Sequence, residues 1–335
     1  MAARLVEVYR GGIIESVHMG SVVVMHSDGH ILYKLGNAER LTYFRSAAKP
    51  LIAINSLEAG IAEEYGLDLK EVAILAASHT GEQKHVDTLN GIMRKIQVKE
   101  EQLKCGIHAP LFQDAAQKLF AAGKVPTSIH CNCSGKHLGI MAAIKSKGMG
   151  MEDYYKTDHP VYEGIEQVLS EFCRLPHTSI VKGIDGCGIP VYGVPLRNMA
   201  IAYANLANTG FLNGKYKKSQ ELLIKAITTY PEMLGGTDRA DTHIIRHFGD
   251  RLICKIGAEA LHCTGLLGRD TGIAFKIEDG NIRAVGPVII EILLQIGVIS
   301  REEAEKLKEF WNPPLLNHRK EVVGEIKAVF KLFPP

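Results

Sequence analysis

The chain has 335 residues, of which 46% are apolar and 23% charged, a balance typical of a globular protein. Its 39 basic and 37 acidic side chains leave a formal net charge of +2, and no run of like charge predicts a nucleic-acid-binding surface. The first residues lack the apolar stretch of a secretory signal, and no apolar window reaches the roughly 18 residues of a membrane span. Seven cysteines, an odd number, indicate reduced thiols, so we expect a cytoplasmic protein without nucleic-acid or membrane partners.

The chain opens with segments that favour strands and then turns to helices. Strands are predicted at 4–9, 21–25 and 31–35, with a hairpin turn before the last of them. A helix is predicted at 46–57, because Pro50 falls in its first turn and Gly60 follows its end. Apolar side chains at spacings of three and four predict further helices at 83–96, 114–122, 134–146, 161–173, 195–207 and 219–228.

Strands return in the last third of the chain. They are predicted at 252–256, 272–277 and 282–285, and two closing helices at 287–295 and 301–310. Because strands lie near both ends and helices between them, we predict one continuous unit over residues 1–335. Its sheet draws on both termini and its middle is a helical insertion, which makes the fold class α/β, a sheet flanked by helices.

The first candidate for chemistry is Ser46-Ala47-Ala48-Lys49. Residues three apart lie on one helix face, so the Lys49 amine could reach the Ser46 hydroxyl. A serine needs a base to act as a nucleophile, and a lysine serves as one when burial or nearby positive charge lowers its pKa. Taken alone, the motif equally fits the alternative that Ser46 caps the helix and Lys49 is solvated.

A second serine and a second lysine follow in the chain. Ser78 lies in a small polar segment after an apolar run, and Lys255 ends a predicted strand. Penicillin-recognising enzymes carry Ser-x-x-Lys, a second serine loop and a Lys-Thr-Gly strand in this order, although here Ile256 replaces the threonine and no Ser-Asp-Asn triplet follows. The working hypothesis is therefore two pairs, Ser46–Lys49 and Ser78–Lys255. A helix-capping Ser78 and an exposed strand Lys255 are the alternatives that the residues leave open.

Cysteines and a lysine form a third candidate group. Cys133 and Lys136 are one helical turn apart and can face one centre, and Cys187 lies on a glycine-rich loop. Two thiolates and a neutral amine suit Zn²⁺, and three protein ligands leave an open coordination position. Buried free thiols, with Ser134 as a helix cap, are the alternative.

Six segments of the chain occur in one order: 45–50 (RSAAKP), 78–82 (SHTGE), 131–137 (CNCSGKH), 183–188 (GIDGCG), 235–242 (GGTDRADT) and the strand of Lys255. In this order and spacing they resemble the Rhizobium-type (class 3) L-asparaginases of the asparaginase II family. The similarity extends from about Val6 to the C-terminal helices.

The resemblance implies a fold like that of serine β-lactamases, penicillin-binding proteins and glutaminases, assembled as a homodimer. It implies hydrolysis of L-asparagine to L-aspartate and ammonia. It also implies a catalytic set and, close to the substrate, a zinc site. The catalytic residues would be Ser46, Lys49, Ser78 and Lys255. The zinc ligands would be Cys133, Lys136 and Cys187.

On this basis Ser46 is predicted to attack the side-chain amide with Lys49 as its base. Arg45 is the candidate for binding the substrate carboxylate, since its planar fork fits that group, and Asp185 the candidate for the ammonium. His137 and the segment 238–241 (DRAD) are further candidates at the rim. Zinc is expected to hold loops in place and tune substrate affinity rather than activate water.

Two other functions stay open at this point. One is a glutaminase or another serine acyl-enzyme amidase. Ammonia release measured on glutamine and asparagine in parallel would distinguish a glutaminase from an asparaginase. The other is a zinc-containing protein that binds an amino acid without turnover.

Overall fold

A computed structural model describes residues 1–334 of the chain. It contains eleven β-strands over this range: β1 (Ala3–Arg10), β2 (Ile13–His26), β3 (Ile31–Leu35), β4 (Leu41–Tyr43), β5 (Val181–Ile184), β6 (Pro190–Pro195), β7 (Leu252–Gly257), β8 (Leu261–Leu266), β9 (Thr271–Ile277), β10 (Pro314–Leu316) and β11 (Val322–Ala328).

Fifteen α-helices accompany the strands in the described range: α1 (Lys49–Glu58), α2 (Ile61–Glu64), α3 (Leu69–Leu75), α4 (Gln83–Lys95), α5 (Gln113–Ala121), α6 (Ser134–Ser146), α7 (Val161–Cys173), α8 (Leu196–Ala207), α9 (Phe211–Gly214), α10 (Lys217–Thr229), α11 (Pro231–Leu234), α12 (Ala240–Phe248), α13 (Val285–Gln295), α14 (Arg301–Glu305) and α15 (Lys308–Trp311). None of them combines the length and the apolarity needed to cross a membrane.

The main sheet is antiparallel and has eight strands in the order β10-β11-β1-β2-β9-β8-β7, with β3 paired to β2 beside this path. The long strand β2 joins its two halves, because its first residues pair with β1 and its last residues with β9. Val8 of β1 lies opposite Ile326 of β11. Strands from the two ends of the chain are therefore direct neighbours in one sheet.

Helix α8 packs against β2, β8 and β9, and α13 packs against β1, β8 and β11. The close approach of α8 depends on glycines in the strands. A Cβ added at Gly272 would lie 1.9 Å from the Ala200 carbonyl oxygen, and one at Gly265 would lie 2.3 Å from that of Tyr203. The predicted fold class, α/β with a sheet flanked by helices, is confirmed.

The prediction of a strand at 282–285 is wrong. Ile282–Ala284 forms a 3₁₀ turn, and α13 begins at Val285. The Asn281 side chain accepts a hydrogen bond from the Arg283 amide and so starts the turn. Pro287 then falls in the first helical turn, where a missing N–H costs no hydrogen bond.

Two features near the functional residues were not predicted from the sequence. A small sheet in the order β4-β6-β5 places the end of β4 beside the loop that follows Ile184. The start of α6 also meets the end of α3, because Gly135 has no side chain: a Cβ there would lie 2.1 Å from the Ile74 carbonyl oxygen. These two contacts bring four loop segments to one region.

Candidate active site

Ser46 lies in the 3₁₀ turn Arg45–Ala48, between β4 and α1. Arg45 has a φ of +48°, a left-handed backbone conformation that is costly for a residue with a side chain. The Ser46 side chain is half-buried, and within residues 1–334 its hydroxyl has no hydrogen-bond partner. The turn thus presents a serine hydroxyl that is free to contact a ligand.

Lys49 is buried, with 1% of its surface exposed. Its amine lies 2.6 Å from the Ala77 carbonyl oxygen, 3.0 Å from Ser78 Oγ and 3.1 Å from the Asn132 carbonyl oxygen. Three acceptors match the three donors of a lysine ammonium. The observed pairing differs from the predicted one for this reason: Lys49 hydrogen-bonds to Ser78, and no donor is left for Ser46.

Asn132 was missed as a contributor to this site. Its backbone carbonyl accepts from Lys49, and its amide donates to His108 Nε2 at 2.9 Å. Asn132 lies between Cys131 and Cys133, so the sequence marked its segment. It did not mark the contact itself, because a backbone carbonyl can be supplied by any residue type.

The loop 78–82 that carries the second serine is held by a segment before α12. The Ser78 amide donates to the Leu234 carbonyl oxygen at 2.9 Å. Thr80 Oγ1 donates to Glu82 Oε1 at 2.8 Å, and the Thr237 amide donates to the same oxygen at 2.8 Å. Gly236 fits between them with a φ of +123°, where a Cβ would lie 2.1 Å from Thr80 Oγ1. These contacts fix where Ser78 lies.

Lys255 is buried on β7, the edge strand of the main sheet. Burial lowers the pKa of Lys255 to about 7; Asp241 opposes this shift, and the charge of nearby Lys49 adds to it. A lysine with this pKa is partly a neutral amine at neutral pH, the form that accepts protons. Its hydrogen bond goes to the Ile256 carbonyl oxygen at 2.8 Å, not to Ser78 as predicted.

Arg45 and Asp185, the candidates for binding the substrate's charged groups, form an ion pair with each other. Arg45 Nε lies 2.8 Å from Asp185 Oδ1, and Lys136 Nζ lies 3.8 Å from Asp185 Oδ2. The pair sits on the two loops that the small sheet holds together. An amino-acid zwitterion carries the complementary charges, so it could exchange partners with this pair.

Cys133, Lys136 and Cys187 converge and are all buried. Lys136 Nζ lies 3.0 Å from Cys187 Sγ. Hydrogen bonding from the thiols of Cys131 and Cys187 holds the pKa of Cys133 well below its usual value. Burial alone would lower the pKa of Lys136, but the neighbouring sulfur and Asp185 charges raise it overall.

This donor set fits a zinc ion. Sulfur and amine ligands suit Zn²⁺, and a metal ion replaces the protons that such ligands carry in its absence. The Lys136 amine already lies 3.0 Å from the Cys187 sulfur, so these two ligands need to move little to share one ion. Cys133, Lys136 and Cys187 are therefore the residues that would hold the ion.

His137 is fully buried, with 0% of its surface exposed, and does not lie at a rim. Its Nδ1 lies 2.8 Å from the Tyr154 hydroxyl, and its Nε2 has no partner within the described residues. Burial lowers the pKa of His137 to about 3, so the ring is neutral. The predicted substrate contact at the rim conflicts with this burial, because the His137 ring has no exposed surface.

A second group of side chains could also hold a metal ion. Asp241, Cys254 and His262 are all buried, and their ligand atoms lie within 4.8 Å of one another. This group was not predicted from the sequence, because its members come from three elements, α12, β7 and β8. Asp241 and Cys254 lie in segments that carry the family resemblance, but His262 does not.

Several solved structures, some of them named as glutaminases, resemble this fold at low identity. The native form of Mglu is 12% identical, with 84% of this chain and 65% of that chain covered at a TM-score of 0.45. A Bacillus glutaminase is 11% identical, with 83% and 91% covered at 0.37. The probable glutaminase ybaS is 13% identical, with 78% and 80% covered at 0.32. The chain thus spans somewhat under two thirds of the length of Mglu.

The family follows from the sequence itself. The profile of the L-asparaginase II family matches residues 6–328, and the chain belongs to that family of enzymes. A comparison with curated proteins found no match. The predicted resemblance to the asparaginase II family is confirmed.

Proposed function

We propose that the protein hydrolyses the side-chain amide of L-asparagine to L-aspartate and ammonia through a serine acyl-enzyme. The observation that carries the proposal is the contact of buried Lys49 with Ser78, with the half-buried Ser46 three residues before Lys49 in the chain. Family membership supplies the substrate class. A serine hydroxyl next to basic amines is the arrangement that nucleophilic catalysis on an amide requires.

In the proposed reaction the Ser46 oxygen forms a bond to the amide carbon. Its proton passes to Lys255, which has a neutral fraction at neutral pH. The carbon–nitrogen bond then breaks, and a proton from Lys49 and Ser78 reaches the nitrogen so that ammonia leaves. Water next attacks the ester and gives a proton to Lys49, and Lys255 returns its proton to the Ser46 oxygen as L-aspartate is released.

We propose that Arg45 and Asp185 bind the two charged groups of the free amino acid. In the absence of substrate they neutralise each other at 2.8 Å. The carboxylate of asparagine would take the Arg45 guanidinium and its ammonium would take Asp185. Because both side chains exchange one charged partner for another, neither is left unpaired when the substrate leaves.

Zinc, held by Cys133, Lys136 and Cys187, would supply a rigid link between the start of α6 and the loop of Asp185. The Ser46 and lysine groups already provide a nucleophile and its base. The ion therefore acts on substrate affinity through the position of Asp185.

We further propose a cytoplasmic homodimer whose protomer is one unit over residues 1–335, with no nucleic-acid or membrane partner. Light scattering on the eluting peak of a size-exclusion column tests the assembly. A mass of twice 36.7 kDa supports the homodimer, and a monomer mass refutes it.

The decisive experiment measures ammonia release from L-asparagine, with L-glutamine in parallel, by the unaltered protein, Ser46→Ala and Ser78→Ala. We expect asparagine turnover, its loss in Ser46→Ala by at least about a thousandfold, and a large loss in Ser78→Ala. Ser146→Ala is the matched control, because this half-buried serine bonds only to the Ala59 carbonyl oxygen. Turnover that survives in Ser46→Ala would show that Ser46 is not the nucleophile. Faster turnover of glutamine than of asparagine would show that the protein is a glutaminase.

A further inference from the structure

Asp241 is a buried carboxylate that the proposed reaction does not use. It lies in the first turn of α12, next to the edge strand β7, and is 3% exposed. A buried charge is costly unless its oxygens are well bonded, so a residue of this kind needs a reason to be there. The reason can be read from its partners.

Both oxygens of Asp241 are bonded within the protein. Oδ1 lies 3.0 Å from His262 Nε2, and Oδ2 accepts from the Ile256 amide at 2.6 Å. The His262 ring is fully buried and stacks on Phe275 with its centroid 5.2 Å away. His262 thus holds one carboxylate oxygen while the other holds the backbone of β7.

Ile256 directly follows Lys255, and both of its backbone polar groups are bonded to side chains. Its amide donates to Asp241, and its carbonyl accepts from the Lys255 amine at 2.8 Å. Strand β7 ends the sheet, so its outer edge has no further strand to bond these groups. Asp241 and Lys255 take the place of that missing strand at one residue.

We infer that Asp241, held by His262, is a positioning residue that clamps the Ile256 peptide and thereby fixes the Lys255 amine in the active site. The inference rests on the proposed function for the role of Lys255, and on the hydrogen bonds above for the clamp itself. Without Asp241 the Ile256 peptide loses its amide partner. The carbonyl that anchors Lys255 belongs to the next peptide unit, two backbone torsions away, and loses one restraint on its orientation.

Asp241 and His262 could instead be metal ligands, and the role of Cys254 distinguishes a metal site from the clamp. A metal ion would use Asp241, Cys254 and His262 together, since their ligand atoms lie within 4.8 Å. It would also have to displace the hydrogen that His262 shares with Asp241. The clamp makes no use of the Cys254 thiol.

Hydrogen–deuterium exchange of the Ile256 amide tests the clamp without any need for turnover. We expect faster exchange in Asp241→Ala and Asp241→Asn, and exchange like that of the unaltered protein in Cys254→Ala. Added zinc or a chelator should leave the rate unchanged. Exchange that slows with zinc, or that accelerates equally in Cys254→Ala, overturns the clamp in favour of a metal site.

Steady-state kinetics on asparagine then test positioning. For Asp241→Asn we expect kcat to fall by about ten- to a hundredfold, the cost of a slightly misplaced catalytic group, while KM stays within about threefold. Cys173→Ala, another buried thiol lost from the core, controls for packing alone. A fall in Asp241→Asn no larger than that in Cys173→Ala refutes the positioning role. If the unaltered protein does not hydrolyse asparagine, the proposed function fails, and the exchange rates still decide the clamp.

Discussion

The hydrogen bonds of a single atom, the Lys49 amine nitrogen, determine which side chains of this site contact one another. The amine has three donors and three acceptors around it, two of them backbone carbonyls. Buried carbonyls of this kind need a donor, so the lysine serves the fold as well as the reaction. A substitution of Lys49 must therefore be judged on both.

Replacing Lys49 with methionine is expected to lower kcat/KM for asparagine by at least about a hundredfold, because proton transfer near the serines is lost. Lys49→Arg should not restore activity, since a planar fork cannot meet three acceptors around one nitrogen. Lys145→Met is the matched control, because Lys145 also bonds a carbonyl, that of Ile96 at 2.6 Å, far along α6. Circular dichroism of each variant separates unfolding from lost chemistry. Full activity in folded Lys49→Met would remove Lys49 from the mechanism.

The Arg45–Asp185 ion pair leads to a prediction about which charged group of the substrate each residue binds. Asp185→Asn should raise KM for asparagine by about ten- to a hundredfold, the effect of losing one charged hydrogen bond. Succinamate, which lacks the ammonium group, should show no such penalty in the same variant. Its kcat/KM is the measurement that matters.

The control for that series is Glu278→Gln. Glu278 forms a comparable ion pair with Arg40 at 2.7 Å away from Ser46 and Ser78. Its loss should leave both substrates unaffected. An equal loss of asparagine and succinamate turnover in Asp185→Asn would contradict the ammonium role, because it would indicate a general disturbance of the Arg45 loop.

Residue types were predictable from the sequence at this scale, but the pairings were not. Ser46, Lys49 and Ser78 were chosen from motifs whose chemistry is readable residue by residue. Lys49 bonds to Ser78 rather than Ser46 because of Ala77 and Asn132, two backbone acceptors whose positions depend on how α3 and α6 meet. Such distant contacts carry no local pattern.

At the scale of elements, the loop 78–82 and the segment before α12 are joined through Glu82. Burial alone would raise the pKa of Glu82, but hydrogen bonds from Thr237, Thr80 and Lys84 lower it to about 2, from a usual 4.5. The unfolded chain therefore takes up a proton near pH 4.5 while the folded protein does not. Stability from this group is present above pH 4.5 and is lost as the pH falls towards 2.

Glu82→Gln should consequently lower stability at pH 7, by about 1 to 3 kcal/mol, and flatten the acid side of the pH profile. Urea unfolding at several pH values between 3 and 7 measures both effects. Glu101→Gln is the control, because Glu101 is exposed. A parallel pH profile in Glu82→Gln and the unaltered protein would show that these hydrogen bonds do not stabilise the ionised form.

The cluster of Cys133, Lys136 and Cys187 links the start of α6 to the loop of Asp185. Under the proposed function, removal of zinc with a chelator is expected to raise KM for asparagine more than it lowers kcat, because the ion would hold Asp185 and would not activate water. Cys187→Ala should show the same pattern and contain less zinc by elemental analysis. A collapse of kcat at constant KM would instead mean that the metal takes part in the chemistry.

Elements themselves were predicted unevenly, and the reason is physical. Helices α6 and α7 have the predicted bounds, because their apolar spacing recurs over thirteen residues each. The strands β4, β5, β6 and β8, and the C-terminal strands β10 and β11, were missed. Strand β11 has one buried residue and strand β8 is buried throughout, so neither shows an alternation of buried and exposed side chains.

The whole molecule is tied together by the pairing of its two ends. Strand β1 lies between β2 and β11, so the first and last strands of the described chain share one ladder. Helix α13 packs against β1, β8 and β11, strands drawn from both ends of the sequence. If residues 1–335 fold as one unit, a destabilising substitution in β11 must therefore lower the unfolding free energy of the entire chain.

Ile326→Ala tests this claim, because Ile326 is buried opposite Val8. We expect a loss of about 2 to 4 kcal/mol, the usual cost of truncating a buried isoleucine, in a single unfolding transition. Fluorescence of Trp311, the one tryptophan, reports on the C-terminal helices, and far-ultraviolet circular dichroism reports on all helices. Val322→Ala, on the same strand but 70% exposed, should cost little. If the two signals instead separated in urea, the C-terminal strands would unfold independently, and the single unit would have to be divided.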